Sequence, residues 1–163
     1  MKLEALTAYG ILPAFIECWR ETIGEQLLDW QADALNHYGL LDRPAQRRNL
    51  LVVAPTSSGK TFIGELAAAA ALSARKKVIF IVPLKAIAGE KFQHFTNTFG
   101  KLGFQSIIST RDHRHFDRAF SAGKFDLAVV VAEKLRHLLI KNIDLLERVD
   151  LIVADELHLL SDP

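Results

Sequence analysis

Apolar residues in this chain come in two rhythms. Five short runs, Asn49 to Ala54, Lys77 to Val82, Phe104 to Ser109, Leu127 to Val131 and Leu151 to Ala154, are nearly continuous in Val, Ile, Leu and Phe, without polar alternation. Such runs predict strands covered on both faces, as in a parallel sheet flanked by helices. Between them the spacing lengthens to three and four. Thr61 to Ala74 is Ala-rich and helix-favouring, Lys85 to Gly100 sets Phe92, Phe95 and Phe99 on one face, and Glu133 to Lys141 follows the same period. The aromatic set is read as helix core rather than as a base-stacking stripe. Upstream, helices are predicted around Pro13 to Trp19 and Gln31 to Tyr38, followed by the polar loop Asp42 to Arg48.

The alternation of strand and helix predicts an α/β fold. Right-handed crossovers then bring the loops after each strand to one edge of the sheet, the carboxyl edge, where ligands bind in open α/β sheets. The polar loop divides a helical appendage, residues 1–48, from the α/β fold, residues 49–163. A sheet of this kind ordinarily continues with a further strand after the last apolar run, so the fold is expected to be truncated there.

Composition narrows the classes. With 163 residues and 50% hydrophobic content the chain has ample material for a core, and its net charge of +1 gives no global attraction to a polyanion. Any nucleic-acid contact must come from local patches. The single Cys18 has no disulfide or CxxC partner, which suits a reducing compartment and a packing role. No signal-peptide pattern or membrane-length apolar tract is visible. The expectation is an intracellular protein, cytoplasmic or nucleoid-associated, with no membrane partner.

The chemistry concentrates in two places. After the first apolar run comes Ala54-Pro55-Thr56-Ser57-Ser58-Gly59-Lys60-Thr61. Gly59 lets backbone approach a phosphate closely, the N–H groups from Ser57 through Thr61 can line one concavity, and a helix starting near Thr61 adds its positive end. Lys60 is suited to the β/γ oxygens of a nucleoside triphosphate, and the Thr61 hydroxyl to magnesium. Ala54 stands where the strict phosphate-loop pattern has glycine.

The second place is Asp155-Glu156-Leu157-His158, directly after the last apolar run. Both carboxylates are expected at a strand's carboxyl end. Two acids beside phosphates need a metal between them. Asp155 is the natural magnesium ligand, through a bound water, and Glu156 is placed to orient or deprotonate the attacking water.

Taken together these residues resemble the first RecA-like domain of superfamily 2 DExH helicases, in particular the group of archaeal DNA-unwinding and exosome-associated RNA helicases. Ala54 to Thr61 resembles motif I of that family, alanine included, and Asp155 to His158 its DExH motif. Pro83 to Lys91 looks like motif Ia, which in the family contacts the nucleic-acid backbone, and Ala132-Glu133-Lys134-Leu135 resembles its Pro-Glu-Lys segment. Leu28 to Leu35 resembles the Q motif, in which glutamine, here Gln31, reads adenine. The resemblance implies a RecA-like P-loop domain using ATP and Mg2+. It further implies a single-stranded DNA or RNA partner and a second RecA-like domain that supplies an arginine finger. It gives His158 the task of coupling the nucleotide site to later motifs. The segment by itself is then expected to bind ATP but hydrolyse it poorly. The competing reading is an ATP-dependent binding or regulatory module without turnover; a transporter or small-molecule kinase domain fits the acidic motif less well.

Two departures stand out. Arg111 in Ser109-Thr110-Arg111-Asp112 replaces a glycine of the family's Thr-Gly-Asp, and Ala132 lacks the hydroxyl common before Glu-Lys. Arg111, His113, Arg114, His115 and Arg118 therefore offer either side-chain phosphate contacts or a solvated charged loop. His113 and His115, with no cysteine nearby, do not make a metal set.

Overall fold

A computed structural model describes residues 1–41, 49–55, 58–141 and 143–157. Two compact units divide between Ala74 and Arg75.

The first unit, residues 1–74, is helical. A 3-10 segment, Leu3–Tyr9, precedes helices α1 (Pro13–Ile23), α2 (Asp29–Asn36) and α3 (Lys60–Ser73). Pro13 occupies the first turn of α1, where its fixed φ is favourable and its missing N–H costs nothing. Trp19 anchors the interior: it stacks on Phe15 at 5.8 Å and meets the Phe62 ring of α3 edge-on at 5.0 Å, with Leu3, Leu6, Leu66 and Leu72 buried as well. Large aromatic area makes such a cluster the main source of stability in a small helical unit.

The second unit, residues 75–163, carries the sheet. Its strands are β1 (Val78–Val82), β2 (Ser106–Ser109), β3 (Leu127–Val131) and β4 (Leu151–Ala154), in the order β2-β3-β1-β4 and parallel at every pairing. Helices α4 (Lys85–Thr98), α5 (Asp117–Ser121) and α6 (Ala132–Lys141) connect them. The period-two geometry explains the continuous apolar runs. Phe80 meets Phe95 of α4 at 5.2 Å, and Phe95 stacks on Phe99 at 5.1 Å. Ile79, one residue away and so on the opposite face, is buried with Ile107, Phe120, Phe125, Ala128 and Leu135. With both faces covered, neither parity along the strand can be polar.

The α/β fold and its four downstream strands agree with the sequence reading, with boundaries shifted by a residue or two, but β4 is not covered on both faces as expected: it is paired on one side only among the described residues, and Ile152 is 48% exposed. One expected element is absent. Residues 49–55 carry no strand, and Leu51 and Val53 are 73% and 86% exposed. An apolar run becomes a strand only when a neighbour completes its hydrogen-bond ladder, and no described residue pairs with this one. The polar loop 42–48 lies outside the described residues, as do Thr56, Ser57 and His158. No helix among the described residues is long and apolar enough to cross a membrane.

Candidate nucleotide site

In the first unit the phosphate-loop residues end on α3. Gly59 is the cap of that helix and adopts φ +83°, a left-handed conformation that side chains resist. A Cβ built there would lie 2.8 Å from Gln31 Nε2, so both torsion and space require glycine. Lys60 folds back over the loop: its ammonium donates to the carbonyls of Ala54 at 2.7 Å and Pro55 at 2.6 Å. Ser58 Oγ donates to the Pro55 carbonyl at 2.7 Å. Carbonyl oxygens thus hold the cation by the kind of contact a phosphate oxygen, carrying full charge, would make more strongly.

Gln31 is buried, 4% exposed, at the third position of α2. Its Oε1 accepts from the Leu28 N–H at 3.0 Å, securing the start of the helix, and its Nε2 donates to the Gly59 carbonyl at 3.2 Å. A side-chain amide has two donors and two acceptor lone pairs. Each of these bonds uses one of them.

In the second unit β4 delivers the acidic pair. Its register beside β1 is set by Val78 with Leu151 through Ile81 with Ala154, and the Asp155 N–H donates to the Ile81 carbonyl at 2.9 Å. Asp155 is therefore fixed by the sheet ladder at the carboxyl end of its strand. Glu156 turns away in a left-handed conformation, φ +53°, and its N–H donates to Asp155 Oδ1 at 3.0 Å. A non-glycine residue in that region costs about 1–2 kcal/mol, so surrounding structure must hold it there. Lys91 of α4 reaches Asp155 Oδ2 at 3.7 Å, with both side chains largely buried. The sequence places Lys91 only at the end of the motif Ia-like segment and says nothing of Asp155, because that partner lies on another element.

The carboxyl edge of the sheet also carries a cavity of about 160 Å3 lined by Leu84, Lys85, Arg111, Glu133, Lys134 and His137 among others. Every cation here with a described ion pair faces an acid: Lys85 pairs with Asp112 at 3.0 Å, Arg111 with Glu133, and Lys134 with Asp117 at 2.6 Å. Asp117 in turn accepts from Ser109 Oγ at 2.9 Å. His113 Nδ1 and Thr110 Oγ1 share a hydrogen bond at 2.9 Å. Phe92 contacts Phe116 edge-on at 6.0 Å, while Phe95 and Phe99 are fully buried, as expected for core.

A glycine-capped loop and helix, together with an Asp-Glu pair closing a parallel strand, define a P-loop-type α/β protein. The DEAD/DEAH box helicase family model matches residues 30–163, and the chain belongs to that family. It is 39% identical over 130 residues to the ATP-dependent DNA helicase Hel308 of Methanocaldococcus jannaschii, covering 76% of this chain and 10% of that protein. To the Hel308 of Pyrococcus abyssi it is 39% identical over 146 residues, covering 89% of this chain and 19% of that one. The chain therefore spans no more than about a fifth of the length of these curated relatives. The crystal structure of the DUF1998 helicase MrfA superimposes with a TM-score of 0.66 at 18% identity, over 91% of this chain and 24% of that chain, which supports the fold.

Proposed function

We infer that this chain is the ATP-binding part of the motor of an ATP-dependent nucleic-acid helicase or translocase, with residues 1–48 as a helical appendage and 49–163 belonging to the first RecA-like domain. The observation that carries the reading is the Gly59-Lys60 geometry, a left-handed glycine cap followed by a cation that donates to the loop carbonyls of Ala54 and Pro55. Lys60 exchanges those carbonyls for the β/γ oxygens of ATP. Ala54 to Thr61 supply the loop around them, with Thr56 and Ser57 assigned by sequence alone.

The donor set fits magnesium. A small hard cation that keeps several waters and takes phosphate oxygens needs one or two protein oxygens, and the Thr61 hydroxyl and the Asp155 carboxylate are of that kind. Held by these two residues, Mg2+ would supply positive charge against the charge developing on the phosphates. Glu156 orients or deprotonates the attacking water, and His158 couples the site to later motifs and the second domain. Gln31 reads adenine: the donor and lone pair left after its bonds to Gly59 and Leu28 match adenine N7 and N6. The partner is single-stranded DNA or RNA, a second RecA-like domain completes the cleft, and the setting is intracellular.

The test is binding of a fluorescent ATP analogue, followed by ATPase measurement with and without single-stranded DNA or RNA. Binding unaffected by Lys60→Ala would remove the reading.

A further inference from the structure

The two oxygens of Asp155 have different partners. Oδ1 accepts from the Glu156 N–H at 3.0 Å, a bond internal to the turn, while Oδ2 faces the Lys91 ammonium at 3.7 Å. The Asp155 and Lys91 side chains are 12% and 17% exposed. A carboxylate so far from water is costly without a compensating charge, and removing one member of such a pair is worse than never having had it. Lys91 supplies that charge from α4, and its ammonium also lies 5.8 Å from the centroid of the buried Phe80 ring.

At 3.7 Å the pair is longer than a hydrogen bond, so charge rather than directed bonding holds it. The four-carbon stem of lysine lets the ammonium withdraw without moving the helix. We propose that Lys91 is the resident cation of the acidic motif, holding the Asp155 carboxylate until a metal–nucleotide complex replaces it. Lys91 is thus a positioning residue: it holds the Asp155 side chain before nucleotide binds, and it competes with the incoming metal. This rests on the reading of Asp155 as the metal-side carboxylate.

Competition sets the sign of the test. Mn2+ is titrated into the chain with a saturating non-hydrolysable ATP analogue, and free Mn2+ is followed by electron paramagnetic resonance. Removing a positive charge a few ångströms from the metal in a partly screened site should tighten binding about fivefold in Lys91→Met. Lys91→Arg keeps the charge and should stay within about twofold of wild type. The melting temperature gives a second reading: without ligand Lys91→Met should melt below wild type, and the rise on adding Mn2+ and analogue should be larger than in wild type. An unchanged or weakened Mn2+ midpoint in Lys91→Met, while Asp155→Asn loses metal binding, overturns the proposal and leaves the Asp155 assignment standing. An unchanged midpoint in Asp155→Asn overturns both.

Discussion

The Gln31 side chain donates to the carbonyl of Gly59 at 3.2 Å and tolerates nothing larger than hydrogen on that residue's Cα. A residue on α2 thereby reads the conformation of the loop that begins α3. Adenine recognition and phosphate binding, if both follow the proposed roles, share one amide. Gly59→Ala introduces a left-handed alanine, costing about 1–2 kcal/mol, and pushes on Gln31. Chemical denaturation should show that loss together with weakened nucleotide binding. The double variant with Gln31→Ala should lose less stability than the sum of the two single losses, because the clash is removed while the torsional cost stays.

Gln31→Ala alone should cost about 1–3 kcal/mol, since the Leu28 N–H and the Gly59 carbonyl lose a partner in a buried setting. It should also abolish preference for ATP over GTP. Competition binding with the two nucleotides checks this, and retained adenine preference would confine Gln31 to its structural bonds.

Lys60 and Glu156 should separate binding from turnover. Lys60→Ala is expected to remove most nucleotide affinity, whereas Glu156→Gln keeps the shape and hydrogen-bonding reach of the side chain while deleting the base. Equilibrium binding and single-turnover hydrolysis, measured on both variants in the complete motor, distinguish the two losses.

Phe95 is fully buried between Phe80 and Phe99. Truncation to alanine should cost about 3–5 kcal/mol through lost transfer energy and the cavity left behind. Because the cluster ties α4 to β1, the same variant should loosen Lys91 relative to β4, and amide exchange at Val153 and Ala154 should accelerate.

Acid should release one tie in the helical unit. The Glu4 carboxyl is held below its ordinary range by its own backbone N–H and by the Arg20 guanidinium at 2.7 Å, which is itself raised by Glu4 and Glu17. A depressed carboxylate contributes stability above its unfolded pKa and loses it as pH falls through the folded value. The Glu4→Gln variant should therefore be slightly less stable than wild type at neutral pH, with the gap closing in acid. Urea midpoints of both proteins across that range measure it; exposure and salt screening keep the effect small.

Most of the α/β frame was legible in the residues alone. Val78 to Val82 and Leu127 to Val131 could be read as buried strands because a strand covered on both faces admits no polar parity, and the three-and-four spacing of Phe92, Phe95 and Phe99 could be read as one helical face. Motif chemistry was equally local: Gly59-Lys60-Thr61 and Asp155-Glu156 carry their own donors and acceptors in consecutive positions. Residues 49–55 show the limit of that logic, since hydrophobic content argues for a strand whereas a strand exists only with a ladder partner.

The sequence by itself determined which segments prefer helix or strand, and which residues bring phosphate and metal chemistry. Tertiary structure alone decided that Gln31 meets Gly59, that Lys91 faces Asp155, and that Lys85, Arg111 and Lys134 at the carboxyl edge are paired with acids. Periodicity and motif spacing act over a few residues along the chain. A charge or amide on one element finds its partner only after the backbone has placed another element beside it, and the physical reason is that such contacts depend on distance in space.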